Sequence, residues 1–370
     1  MSFSEIPTLD LAWANDAVRR PQLLAQLRHA LVDVGFLYVA RHGVPEQVVD
    51  DMIKVLPALF SLADDEKEAM NLHNSPHFLG YSATGAETTA GQADRREQVE
   101  FATELSANWT PGQPVYERLR GPNQWPKAGA VTVPGTDRDV RAVVGAYLEA
   151  LTALGEHFLQ LVAEALALPI DALLPFLSDQ HRLKLVRYPG IDDNGATGKL
   201  QGVGPHKDSS GWWTFLLQAS PPPIGGLQAL NRAGQWIDVP AVPGTFVVNI
   251  GQAFEVVTHG VCPATTHRVQ VQAGAPERFS VPFFQGVRRD LTKAEALGLR
   301  QHFETTFSER FLDAAAPSES AEGRKIDSPF LHGRYDTWGE SQLRTKVRSH
   351  RDVGRRFYAD VYDKYIHDED

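Results

Sequence analysis

From Leu183 onward the chain breaks into short runs of β-branched and aromatic residues, each closed by glycine or proline. The runs are 183–188, 212–218, 226–230, 236–239, 245–250, 265–271 and 278–284. None is long enough to bury much surface alone, and the regular turn signals predict a double-sheet β architecture, a barrel or jelly roll. Before them, 138–168 carries Val143, Val144, Tyr147, Leu151, Leu154, Phe158 and Leu161 at helical spacing and predicts a long amphipathic helix. After them, 291–311 reads as helix, the Ala/Ser/Glu-rich stretch 314–324 as an exposed loop, and 339–365 as one charged helix returning to the β core.

The N-terminal part mixes signals. A short strand is expected over 6–11, a helix over 21–32 (Leu23, Leu24, Leu27 and Leu31 on one face), and a strand over 35–39 stopped by His42-Gly43-Val44-Pro45. Helices follow over 46–60 and 64–70, and the polar, Gly-rich stretch 83–110 reads as loops able to line a site. The fold class is α+β. Without a composition break the chain reads as one integrated unit: a helical N-terminal region (1–125), a jelly-roll core (180–290) and a C-terminal helical region (291–370) packed on that core.

A chain of 370 residues can bury a large core. Its net charge of -10 argues against a general nucleic-acid or anionic-membrane binder, which needs a basic face. The single cysteine, Cys262, cannot form an intrachain disulfide and suits a reducing compartment. The first residues lack the basic and apolar regions of a secretory signal, and no apolar run approaches the ~18 residues of a membrane span. These features predict a soluble cytoplasmic protein.

The chemistry concentrates at His206-Lys207-Asp208 and at His267. Residues i and i+2 of a strand share a face, so His206 and Asp208 can reach one ion from one strand or its end, and His267 can close the triangle from a later strand. Two imidazoles and one carboxylate leave half of a metal's coordination sphere open, which suits a non-haem Fe(II) oxygenase; a structural zinc site would take four ligands, usually with cysteine. A His-x-Asp triplet alone is weak evidence, and the chain holds a second, His350-Arg351-Asp352, which reads as a surface feature of a basic helix. The order adds weight: Arg278 and Ser280 follow His267 on one strand face, and a guanidinium fork beside a hydroxyl is a receptor for a carboxylate.

Together these residues resemble the isopenicillin N synthase-like family of Fe(II)/2-oxoglutarate-dependent oxygenases, over nearly the whole chain. Further matches are Gly35-Phe36-Leu37-Tyr38-Val39 with His42-Gly43-Val44-Pro45, the run from Phe60 to Lys67, and Gly121-Pro122-Asn123-Gln124-Trp125-Pro126. Tyr188-Pro189, Gly225-Gly226-Leu227-Gln228, 243–251 and His267-Arg268-Val269 also match. Gly80-Tyr81 with 85–91 resembles a loop of many microbial members, including the ethylene-forming enzyme. The resemblance implies a distorted double-stranded β-helix (jelly roll) with flanking helices and His206, Asp208 and His267 as iron ligands. It also implies 2-oxoglutarate bound through Arg278, Ser280 and Tyr188, with O2 as the second cosubstrate.

Three departures stand out: Val186 where the family often has asparagine, His259-Gly260 where asparagine commonly precedes the glycine, and an extra residue within Ser209-Ser210-Gly211-Trp212-Trp213. The implied reaction is oxidation, in the first place hydroxylation, of a small organic molecule with release of succinate and CO2. Desaturation, ring closure, fragmentation of 2-oxoglutarate and a 2-oxoglutarate-independent oxidase share these ligands; a carboxylate at Asp208 excludes a halogenase, which needs that position small. A non-catalytic binding module on the same fold is the competing class, disfavoured by the intact ligand set.

For the substrate, Lys184 shares strand parity with Tyr188 and is a candidate anchor for an anionic group. Glu87 and Thr89 are candidates on the polar loop, with Arg95, Arg96 and Glu97 beside them. One of Trp212 and Trp213 is expected in the core and the other against the substrate, with Phe101 as a further apolar contact. His259 reads as a turn histidine and Cys262 as a small buried residue. The basic run Arg344, Lys346, Arg348, Arg351, Arg355 and Arg356 reads as a solvated face from which one arginine could turn inward.

Overall fold

The computed structural model describes residues 2–89, 91–191, 199–312 and 328–367; the expected loop at 314–324 lies outside them. The strands are β1 (Thr8–Asp10), β2 (Phe36–Ala40), β3 (Gly80–Ser82), β4 (Thr88–Thr89), β5 (Gln92–Ala93), β6 (Glu97–Ala102) and β7 (Arg182–Tyr188). They continue as β8 (Lys199–His206), β9 (Trp213–Gln218), β10 (Leu227–Leu230), β11 (Trp236–Asp238), β12 (Thr245–Ile250), β13 (His267–Gln272) and β14 (Arg278–Phe284). An eight-stranded sheet in the order β1-β2-β12-β9-β14-β7-β6-β3 faces a four-stranded sheet in the order β11-β10-β13-β8, with β4 and β5 as a separate hairpin. Two antiparallel sheets with flanking helices make the expected jelly roll; among the described strands only β1 and β2 pair in parallel.

Strand alternation gives the large sheet two different faces. Leu183 and Leu185 of β7, Phe279, Val281 and Phe283 of β14, and Trp213, Phe215 and Leu217 of β9 belong to the core shared with the helices. The intervening Arg182, Lys184, Val186 and Tyr188, with Arg278, Ser280, Pro282, Thr214 and Leu216, line a cavity of about 730 Å3 between the sheets. Val203, Leu227 and Val269 of the small sheet close it from the other side.

The helix Val140–Ala165 covers the outer face. Asp139 caps it by accepting from the Ala142 N–H, and Phe158 meets Trp213 and Phe215 edge-on at 5.2 and 5.5 Å. Aromatic pairs of this geometry add to area burial.

Several expectations need correction. β6, read as part of a loop, is a fully buried strand of the large sheet, and β8, disguised by Gly202, Gly204 and Pro205, carries His206 at its end. Residues 1–125 give the large sheet β1, β2, β3 and β6 besides their helices. The helix expected over 291–311 is three short pieces, Lys293–Ala296, Arg300–Thr306 and Ser308–Leu312. The single C-terminal helix is also three, Trp338–Ser349, Arg351–Phe357 and Ala359–Ile366, broken at His350 (φ -126°, ψ 72°) and Tyr358 (φ -132°, ψ 30°). Among the described residues no helix is long and apolar enough to cross a membrane.

Because Phe158 is fully buried at the helix–sheet contact, Phe158→Ala should lower stability by about 3–5 kcal/mol. Urea unfolding of the full chain measures this as a lower midpoint; an unchanged midpoint would mean that the helix is not held there.

Candidate metal centre

His206 ends β8 and His267 begins β13, directly opposite in antiparallel register, with ring centroids 4.3 Å apart. Asp208 lies two residues beyond the end of β8, so it approaches from the loop and not from the strand itself. Its Oδ1 stands 3.7 Å from Nε2 of each histidine. Ligand atoms of all three residues lie within 4.8 Å of one another, the one group of three or more such side chains among the described residues.

The surrounding hydrogen bonds orient each donor. Nδ1–H of His206 donates to the Gly204 carbonyl at 2.8 Å, and Nδ1–H of His267 to the Thr265 carbonyl at 3.2 Å, leaving both Nε2 lone pairs toward Asp208. Oδ2 of Asp208 accepts from the Thr214 hydroxyl at 2.6 Å and from Nδ2 of Asn249 at 2.7 Å, so Oδ1 is the oxygen presented to the histidines. The Gln252 N–H donates to the Asp208 carbonyl at 2.8 Å. The following loop is tight: a Cβ on Gly211 (φ +135°) would sit 2.6 Å from the Gln285 carbonyl oxygen, so the backbone passes only without a side chain.

Electrostatics keep His206 and Asp208 in ligand form. Burial, reinforced by His267, pushes the His206 pKa down to about 4, so its imidazole is neutral. Burial works to raise the Asp208 pKa, but the two imidazoles and the hydrogen bonds from Thr214 and Asn249 outweigh it and hold the carboxyl below its usual range.

In the same cavity Arg278 is buried and stacked over the Tyr188 ring at 5.0 Å, opposite Tyr188 in register. One of its terminal nitrogens donates to Oε1 of Gln218 at 3.2 Å; the other is buried with no partner. Such an orphaned guanidinium nitrogen is costly without an acceptor. Ser280 lines the cavity one alternation along β14, and Val186, noted above as a departure from asparagine, is an apolar part of its wall.

The substrate candidates divide. Glu87, Thr89 and Lys184 line the cavity. Thr89 donates to Oδ2 of Asp94 at 2.8 Å. Trp212 and Trp213 do not reach it: both indoles are buried in the outer core against Phe254, because β9 turns Thr214, not Trp213, inward. Phe101 is likewise core, stacked on Trp125, and Glu97 points to the other face of β6, where it pairs with Lys67 and Arg187. Arg95 contributes its N–H to the Gly202 carbonyl; Arg96 lines the cavity and pairs with Glu87 at 2.8 Å. His259 sits in the left-handed region (φ 52°), away from the cavity and within the field of Arg300 and Glu304, and Cys262 is buried, which pushes its thiol pKa up. The second triplet is a surface feature only in part: Arg351 and Asp352 are exposed at the cavity rim, whereas His350 turns inward, with its Nε2 3.6 Å from Glu87.

Residues not foreseen include Thr214 and Asn249, which fix Asp208, and Glu100, Arg182 and Lys346 farther up the cavity. Strand parity with Lys184 could have found Arg182, and parity with Val247 could have found Asn249; Glu100 and Lys346 needed the course of β6 and of the C-terminal helices.

Known proteins agree in extent and kind. Residues 6–128 match the family model of the non-haem dioxygenase in morphine synthesis N-terminal region, and residues 180–287 that of the 2OG-Fe(II) oxygenase superfamily. A 2-oxoglutarate-dependent dioxygenase of Dothideomycetidae sp. (strain 11243) is 40% identical over 360 residues, spanning 96% of this chain and 93% of that protein. One from Gibberella zeae is 34% identical over 377 residues, 97% and 93% of the two chains. In fold the chain resembles a full-length Neurospora crassa protein solved in complex with alpha-KG (TM-score 0.62, 21% identity, 78% and 86% covered). It also resembles the rice dioxygenase for auxin oxidation (TM-score 0.61, 24% identity, 86% and 99% covered).

Asn249→Ala removes one of the two hydrogen bonds that aim Asp208. Losing such a support costs about 10–100-fold in metal affinity, which anaerobic Fe(II) titration should register with the fold intact. Unchanged affinity would leave Thr214 as the sole positioning group.

Proposed function

From the premise that the chain belongs to the 2-oxoglutarate- and Fe(II)-dependent dioxygenases, we propose that His206, Asp208 and His267 hold its iron and that Arg278, Ser280 and Tyr188 hold its 2-oxoglutarate, for hydroxylation of a small molecule. As a member the protein is an enzyme that uses Fe(II), 2-oxoglutarate and O2. The observation that carries the assignment of residues is the unpartnered, buried nitrogen of Arg278 in the cavity that also contains the triad. A neutral-imidazole and carboxylate donor set suits Fe(II), and the Arg278 fork suits the distal carboxylate of a 2-oxo diacid.

Bound there, Fe(II) and 2-oxoglutarate supply the O2-activating chemistry that oxidises a C–H bond while succinate and CO2 leave. The chain's own part is placement. Thr214 and Asn249 commit one oxygen of Asp208 and leave the other for the metal. The Gly204 and Thr265 carbonyls fix the histidine tautomers. Arg278 and Tyr188 set the direction from which the cosubstrate approaches, and Val186, Leu216 and Leu227 keep that part of the cavity apolar. The cover above it comes from Ala86, Glu87, Thr89 and Arg96 and from the helix Trp338–Ser349, whose Gln342 donates to the Ser209 carbonyl at 2.9 Å.

Anaerobic addition of Fe(II) and 2-oxoglutarate should produce the weak visible charge-transfer band of a chelated 2-oxo acid. His206→Ala, Asp208→Ala and His267→Ala should each abolish the band and turnover. Arg278→Ala should weaken 2-oxoglutarate about thirty-fold or more, since breaking a buried charged pair costs on the order of 2–5 kcal/mol; Ser280→Ala should cost less, about 1–2 kcal/mol. Unchanged 2-oxoglutarate dependence in Arg278→Ala would place the cosubstrate elsewhere.

A further inference from the structure

The inward face of β7 carries charge at both ends. Tyr188, beside Arg278, lies at one end; Lys184 and Arg182 lie at the other. Four residues of strand separate Tyr188 from Lys184, about 13 Å at the ordinary rise, so a small diacid anchored at Arg278 does not fill both ends. Glu100 stands directly across from Lys184 in the β6–β7 register. From the opposite wall the helix Trp338–Ser349 brings Lys346 to Glu100 at 3.1 Å.

Three cations therefore meet one carboxylate. Arg182 is used up: it pairs with Glu100 and donates to the His77 and Phe78 carbonyls at 2.9 and 3.1 Å. Lys346 spends one hydrogen bond on Glu100. Lys184 is different. Its ammonium stands 3.7 Å from both Glu87 and Glu100, an ion pair with each but beyond hydrogen-bonding distance. Glu87 offsets only part of the excess: it accepts from Gln98 and from Arg96, an arginine that Asp94 also pairs at 3.2 Å, and it faces His350, so its pairing with Lys184 still leaves one cation more than the carboxylates around it. Arg351 and Asp352, both exposed, lie at the rim and offset one another.

We propose that Lys184 and Lys346, held by Glu100 and Arg182 at the far end of the cavity, form the receptor for a compact oxyanion, a carboxylate or phosphate, carried by the substrate itself. This rests on the iron and 2-oxoglutarate assignment above and adds the substrate class: an anionic small molecule whose charged end points away from Arg278. A surplus of buried positive charge is unfavourable on its own, and its cost is visible at Lys346, where burial and the neighbouring Arg182 pull the pKa down to about 8 against the help of Glu100. An anion in the cavity relieves that surplus and supplies Lys184 with the acceptor it lacks. The sheet face and the returning helix supply one lysine each, so the receptor exists only when the C-terminal region is seated.

Inorganic phosphate is the probe. The full chain is loaded anaerobically with Fe(II) and saturating 2-oxoglutarate, and phosphate is titrated while its 31P line is watched for broadening by the paramagnetic iron. Saturable broadening is expected, unaffected by further 2-oxoglutarate. The Lys184→Gln/Lys346→Gln double variant should bind phosphate at least about ten-fold more weakly, while its 2-oxoglutarate titration, read from the visible band, stays within about two-fold of the parent. Acetate and methyl phosphate as competitors then tell a carboxylate receptor from a phosphate receptor by which displaces the probe at lower concentration. No saturable broadening in the parent protein, equal broadening in the double variant, or displacement by 2-oxoglutarate would overturn the proposal. Failure of the visible band in the parent defeats the iron and 2-oxoglutarate assignment first, and this receptor with it.

Discussion

The large sheet must be apolar on one face and ionic on the other, and strand alternation is the constraint that lets one set of residues do both. β7 shows it most plainly: Leu183 and Leu185 enter the core shared with Val140–Ala165, while Arg182, Lys184, Val186 and Tyr188 enter the cavity. A slip of one residue would exchange the faces, placing lysine and arginine against Phe158 and leucine against the metal ligands. Register is therefore specified by penalty as well as by attraction. The cross-strand pairs Arg278 with Tyr188 and Glu100 with Lys184 exist only in this register.

Burying so much charge sets a second condition. A paired carboxylate in a poorly hydrated cavity loses hydration and regains part of it from its partners. At Glu87 and Glu100 burial alone would raise the pKa, yet the surrounding cations hold both below the usual carboxylate range. At Asp208 the counterweight is two imidazoles, a hydroxyl and an amide. These sites differ in what remains open. Glu87 and Glu100 are enclosed by cations from protein, whereas Asp208 directs one oxygen to a point shared with His206 and His267. Similar electrostatics thus give a structural anion in two places and a candidate ligand in the third.

Local patterns made most of the β core legible, because seven short β-rich runs are each followed by glycine or proline turn signals. What escaped did so for physical reasons. β8 is rich in glycine and ends in Pro205-His206, so propensity argues against a strand that pairing with β13 nevertheless holds. β6 looks polar because Gln98 and Glu100 face a buried ionic cavity, not water. The iron-ligand candidates were readable from order and spacing, and geometry brings them together; of Trp212 and Trp213, one was expected in the core and one against the substrate, and both are core, because β9 turns Thr214 inward. The basic C-terminal run misled most: charge at helical spacing usually marks a solvated face, but Lys346 and His350 turn inward.

That inward turn depends on packing remote from the metal centre. Leu343, Val347, Val353, Tyr358 and Tyr365 from the three C-terminal helices form a separate apolar cluster with Leu72, Phe78, Tyr116 and Leu119. The Tyr358 hydroxyl donates to the Pro76 carbonyl, and Arg118 forms a bidentate pair with Asp360 at 2.8 and 2.9 Å. The break at His350 lets the first helix follow the cavity wall while the next two settle into this cluster. The segment above the cavity is thus anchored to residues on both sides of β6 in the chain, and removing it would strip an apolar cluster as well as a wall. The jelly roll carries the candidate metal ligands together with Arg182 and Lys184, and the two regions outside it, joined through this cluster, bring Glu87, Glu100 and Lys346 to the same cavity; the charge of that cavity can therefore be altered from either region without touching His206, Asp208 or His267.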